Sequence, residues 1–76
     1  MPKYYFDIRE DSHLTPDTDG LDLPDTASAE REAIDAATLI ARDALSSRQT
    51  SRIAVEVRDN GHPVCAVSVS LEVNAT

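Results

Sequence analysis

The sequence predicts a small α+β domain of order ββαββ, with one alanine-rich helix packed on one face of an antiparallel sheet. Three observations predict it. Apolar and polar residues alternate strictly near the N-terminus and again in the last third of the chain, which is the period of half-buried strands. Between them, Thr26 to Ser46 contains no glycine or proline and seven alanines. Asp59-Asn60-Gly61 then separates two alternating segments as a hairpin turn. A chain of 76 residues has room for one domain, 1–76.

The first strand is residues 3–9. Tyr4, Phe6 and Ile8 share one face, and Tyr5, Asp7 and Arg9 the other. Glu10 to Pro24 is rich in turn formers; His13 to Thr15 is expected to return along the first strand, and Gly20 to turn the chain before Leu21 and Leu23 dip into the core.

Asp25 is the expected helix N-cap, because its carboxylate can accept an orphan backbone N–H, with Glu30 and Glu32 near the positive end of the dipole. The helix is predicted over 26–46. Its apolar stripe reads Ala27, Ala33, Ile34, Ala37, Ile40, Ala41, Ala44 and Leu45, anchored on the sheet by Ile34, Ile40 and Leu45. So much alanine requires close approach to the sheet. Leu39 falls on the polar side and is a candidate subunit contact.

In the final hairpin, Ile53, Val55 and Val57 alternate on one strand, and Cys65, Val67, Val69, Leu71 and Val73 on the other. A two-residue Asn-Gly loop would pair Val57 with Val64 and set apolar beside polar. A three-residue loop with Gly61 in a G1 bulge pairs Val55 with Cys65 and Ile53 with Val67, and parity favours it. The last strand, up to 11 residues counted in the sequence, is expected to outrun its partner and leave an edge open to strand addition. The opposite sheet face, from Tyr5 and Asp7 to Arg58, Ala66 and Ser68, is polar or small and expected to meet water.

Fourteen acids against seven bases give a formal charge of −7. Nucleic-acid binding needs clustered Lys and Arg to displace counterions, whereas Arg31, Arg42, Arg48, Arg52 and Arg58 are spread among acids. No apolar run approaches the length of a membrane span. Seven acids (Asp7, Glu10, Asp11, Asp17, Asp19, Asp22, Asp25) precede the helix against Lys3 and Arg9. One cysteine and no leader-like N-terminus make the cytoplasm the expected compartment.

Asp17-Thr18-Asp19-Gly20 has the local look of a calcium loop. With Gly20 at the sixth position, Thr15 and Thr26 stand where the first Asp and the bidentate Glu belong, so Asp17, Asp19 and Asp22 are weak cation candidates only. His13, His62 and Cys65 lack zinc-ligand spacing, and Cys65 is expected inside as a small hydrophobe. With two glycines in the chain there is no phosphate loop, nucleophile elbow or dinucleotide fingerprint. No enzyme, metal or cofactor is expected.

Tyr4-Tyr5-Phe6-Asp7-Ile8-Arg9, then Asp17-x-x-Gly20-x-x-Leu23-Pro24-Asp25 before a helix with Glu32-Ala33, then Val55-Glu56-Val57-Arg58-Asp59-x-Gly61, resemble a family of short bacterial proteins of unknown function. The resemblance covers nearly the whole chain and implies a fold, with no activity attached. Residues 4–45 are also similar to the N-terminal domain of HicB-type antitoxins, lacking the usual glycine after Pro-Asp; that similarity implies a basic toxin as partner.

The reading is of a non-enzymatic interaction module, with a second copy or another protein as partner. Few aromatics and no covalent staple favour a homodimer as a further source of stability. The candidate contacts are Asp11, Asp17 and Asp19 on the acidic side, Leu39 on the helix, and Val69, Leu71 and Val73 on the last strand. The alternatives are an antitoxin-like domain and a divalent-cation or ligand binder using the 10–25 loop.

Overall fold

A computed structural model describes residues 1–75. The elements are β1 (Lys3–Glu10), β2 (His13–Thr15), β3 (Leu21–Asp22), α1 (Thr26–Ser46), β4 (Arg52–Asp59) and β5 (His62–Ser70). They form the α+β fold of ββαββ order, the second strand being split into β2 and β3. The five strands make one antiparallel sheet in the order β2-β1-β4-β5, and β3 also pairs with β1. The two short strands share the outer flank of β1: β2 lies along Ile8–Glu10 and β3 along Lys3–Tyr4.

α1 begins where Asp25 accepts the Ser28 N–H at 2.8 Å. Glu30 and Glu32 fall beyond the first turn, so Asp25 alone serves its N-terminus. The buried row is Ala29, Ala33, Ala37, Ala41 and Leu45. This corrects the stripe read from the sequence: Ala27 is exposed, and Ile34, expected as an anchor, is 45% exposed. Each four-residue step turns about 40° around a helix, so the buried row winds across α1 as the twisted sheet requires. A fixed stripe misses that drift. Ile40 and Ala44 are partly buried beside Ala41, Leu45 and Ile53.

The sheet contributes Tyr4, Ile53, Val55 and Val57 to the core. Phe6, Ile8, Leu23, Val64, Cys65, Val67 and Val69 pack at its margin. Cys65 is half-buried there, and burial, with Glu30 nearby, pushes its thiol pKa up.

The β4–β5 turn differs from the expected one. Asp59 pairs with His62, leaving a two-residue loop with positive φ at Asn60 (39°) and Gly61 (85°), as a type I′ turn requires. Arg58 pairs with Pro63 but Val57 with Cys65, so Val64 is an extra residue in a β-bulge. The bulge restores the demand that odd residues face odd: Val55 pairs with Val67 and Ile53 with Val69. The expected pairs were displaced by two residues because the extra residue sits in the strand, not in the turn.

Candidate functional site

Asp17 lies between β2 and β3, opposite the one stretch of β1 that neither covers. Its Oδ2 accepts the Phe6 N–H at 3.1 Å, and its Oδ1 accepts the N–H groups of Asp19 (3.0 Å) and Gly20 (3.3 Å). The carboxylate thus stands where the carbonyl of a continuous strand would stand. Its own N–H donates to Asp7 Oδ1 at 2.8 Å. Gly20 (φ 74°) closes this turn against the side chains of Lys3 and Tyr5.

Asp7 is 8% exposed. Arg58 donates from Nε to its Oδ2 at 2.8 Å and from Nη2 to its Oδ1 at 3.3 Å. Nη2 also reaches the Asp17 carbonyl at 2.9 Å, and the guanidinium carbon lies 4.5 Å from the centroid of the Tyr5 ring. Burial alone would raise the Asp7 pKa, but the Arg58 guanidinium and the Asp17 N–H outweigh it and hold the carboxyl below the ordinary range. For Asp17 burial is likewise outweighed, by the N–H groups of Phe6, Asp19 and Gly20 and by Arg58. Both groups are therefore ionised near neutral pH, and the arrangement pins a loop to a sheet. Neither carboxyl is poised to exchange a proton.

Asp11 (φ 50°) closes the β1–β2 turn. Its Oδ1 accepts from the N–H of Ser51 (3.3 Å), the Ser51 hydroxyl (3.1 Å) and the N–H of Arg52 (3.1 Å), fixing the entry to β4. Asp11 and Asp17, read as contacts for a partner, are therefore occupied within the chain; Asp19 remains exposed. For a cation to use Asp17 it would have to displace three N–H groups. Among the described residues no three of His, Cys, Asp and Glu gather to hold a metal ion.

The sheet face away from α1 is drier than expected. Ala54 and Asp7 are both buried on it. Arg9 pairs there with Glu56 at 2.7 Å, a half-exposed contact. Grooves open on this face among the described residues. One of about 480 Å³ lies at the hairpin end by Asp7, Arg58, Gly61 and Pro63; another, of about 280 Å³, lies by Arg9, Arg52, Glu56 and Ser68.

β5 forms the other flank of the sheet. It does not outrun β4: it ends at Ser70, and the Leu71 N–H still donates to the Ser51 carbonyl at 2.9 Å. The Leu71 N–H thus points at β4, as do the backbone groups of the odd-numbered residues before it on β5. Alternation then turns the N–H and C=O of Ala66, Ser68 and Ser70 outward. Val69 packs against both the Val55 and the Ile53 ends of the core. Leu71 is 40% exposed, Val73 64% and Leu39, out on the helix, 70%.

A family model described as a domain of unknown function, DUF6894, matches residues 3–70. The chain belongs to this family. No curated protein and no solved structure matches it. The matched residues of this DUF6894 chain span every element of the sheet and α1. Among its described residues no helix is long and apolar enough to cross a membrane.

Asp7 and Arg58, at the centre of the DUF6894 loop-to-sheet network, were not singled out by sequence. Strand parity set both on one face, but their meeting depends on the register, which pairs Tyr5 with Arg58 and Asp7 with Glu56. The local signal for Asp17 is Asp-x-Asp-Gly after a proline, the pattern of a side chain bonding the backbone two residues on.

Proposed function

We propose that this DUF6894 chain is a non-enzymatic protein-interaction module that takes a partner strand on the outer edge of β5. One observation carries the reading. From Pro63 through Leu71 the strand has no charged residue, and the blunting devices it carries, Pro63 and the Val64 bulge, both sit near its start and leave residues 65–71 unprotected. An exposed edge of this kind presents backbone donors and acceptors ready for strand addition. The paired state of the carboxylates around Arg58 supports a scaffold over an acid–base site, and the lone Cys65 suits a reducing cytoplasm.

The test compares the wild type with Ser68→Pro, which removes an outward N–H and leaves the ladder to β4 intact. Sedimentation and affinity capture from native lysate are expected to find the wild type bound to a polypeptide, its own copy or another, and the variant free with unchanged circular dichroism. A wild type that sediments as a monomer and captures nothing overturns the reading.

A further inference from the structure

We infer that the strand taken by β5 is β5 of a second copy, paired antiparallel about a two-fold axis at Ser68. This rests on the docking edge proposed above and names its occupant. The regular part of the strand begins after the Val64 bulge and continues through Leu71, whose N–H is still bonded to Ser51. Residues 65–71 are centred on Ser68, so a two-fold there uses the whole regular segment. Ser68 then faces Ser68 of the second copy, and Ala66 faces Ser70. These are the residues whose N–H and C=O point outward, so each meets a matching donor and acceptor. On the helix side Val67 faces Val69 and Cys65 faces Leu71, giving continuous apolar pairs and covering the half-exposed Leu71.

Charge opposes a second copy at the β1 flank and opposes it least at the β5 flank. Each copy carries −7, and residues 1–25, which hold five of those net charges, lie at β1 and beyond. β1 is two strand spacings from β5, about 10 Å, and a Debye length at physiological salt is about 8 Å. Two net-negative copies can therefore approach edge to edge here: residues 65–71 bring no charge of their own, and the group hydrogen-bonded to Ser68 Oγ, the Arg52 guanidinium at 3.1 Å, is a cation.

The two-fold makes a register-specific test. In a Cys65→Ser background, Ser68→Cys places two thiols on directly opposed residues, with Cα atoms about 5.5 Å apart, inside the disulfide range. Ala66→Cys in the same background places its thiols four residues out of register, about 13 Å apart. Mild oxidation is expected to give a disulfide-linked dimer with Ser68→Cys and none with Ala66→Cys. Sedimentation of the untagged wild type is expected to show a dimer, with Ser68→Lys raising its dissociation constant about tenfold or more, because like charges then oppose each other on the axis. Ser68→Pro is the companion variant should the lysine perturb the fold.

A monomeric wild type overturns the inference. So does preferential cross-linking of Ala66→Cys, or a dimer indifferent to both Ser68 substitutions. A monomer that loses a captured foreign protein on Ser68→Pro would sink self-pairing and spare the interaction reading. A dimer untouched at Ser68 would sink both.

Discussion

At the scale of single residues, two glycines with the same sign of φ have different reasons to be there. A Cβ at Gly20 would lie 2.8 Å from Lys3 Cγ and 2.9 Å from Tyr5 Cε2, while one at Gly61 would meet nothing within 4 Å. Gly61→Ala should cost only the left-handed backbone penalty, about 1–2 kcal/mol. Gly20→Ala should cost that and the displacement of two side chains. Denaturant titration should rank Gly20→Ala clearly below Gly61→Ala, and equal values would remove the close approach as a cause. Asp7 and Asp17 give stability a pH dependence of definite sign. Their folded pKa values are lowered, so their contribution is full above the unfolded-state value and is lost as pH falls through the folded one. Melting temperature should hold from about pH 7 to about pH 5 and drop below about pH 4. Asp7→Asn should lose about 1–3 kcal/mol at neutral pH, with its deficit against the wild type shrinking in acid.

At the scale of elements, α1 tests the winding alanine row. Ala33 is fully buried against the sheet while its neighbour Ile34 is 45% exposed. Ala33→Leu should destabilise by about 1–3 kcal/mol through overpacking, whereas Ile34→Ala should change stability by no more than about 0.5 kcal/mol. Thermal melts would show Ile34→Ala costing about 2–5 kcal/mol as well if a fixed stripe buried both residues. The helix itself was legible because Pro24-Asp25 announces its start and nothing interrupts it before Ser46. β1 was legible because Tyr4, Phe6 and Ile8 alternate with Asp7 and Arg9. Which alanine faces the sheet was not, since that depends on a twist set by strands elsewhere in the chain. The hairpin was legible in part: odd residues had to face odd, but a bulge at Val64 and a longer turn meet that condition equally, and only packing chooses. The contact between Arg58 and Asp7 joins residues far apart in sequence, and no local pattern encodes it.

At the scale of the whole molecule, charge and sheet order combine. A net charge of −7 on 76 residues repels itself in the folded state, and the ion pairs Arg9–Glu56 and Arg58–Asp7 offset only part of it. Raising sodium chloride from about 10 mM to about 300 mM shortens the Debye length several-fold and should raise the melting temperature. A fall would mean that the ion pairs outweigh the repulsion. The two flanks of the sheet are not equivalent. Along β1 the backbone is met in turn by β3, by the Asp17 carboxylate at Phe6 and by β2, so the outer edge on this side consists of strands of two and three residues, too short to template an incoming strand. A sheet with two open flanks can add copies without end and becomes a fibre; a sheet with one can only be closed off by its mate. By holding one carboxylate against the Phe6 N–H, Asp17 keeps that flank broken into short pieces; were copies to pair through β5 as proposed, assembly would stop at two chains, and loss of Asp17 would open a route to filaments.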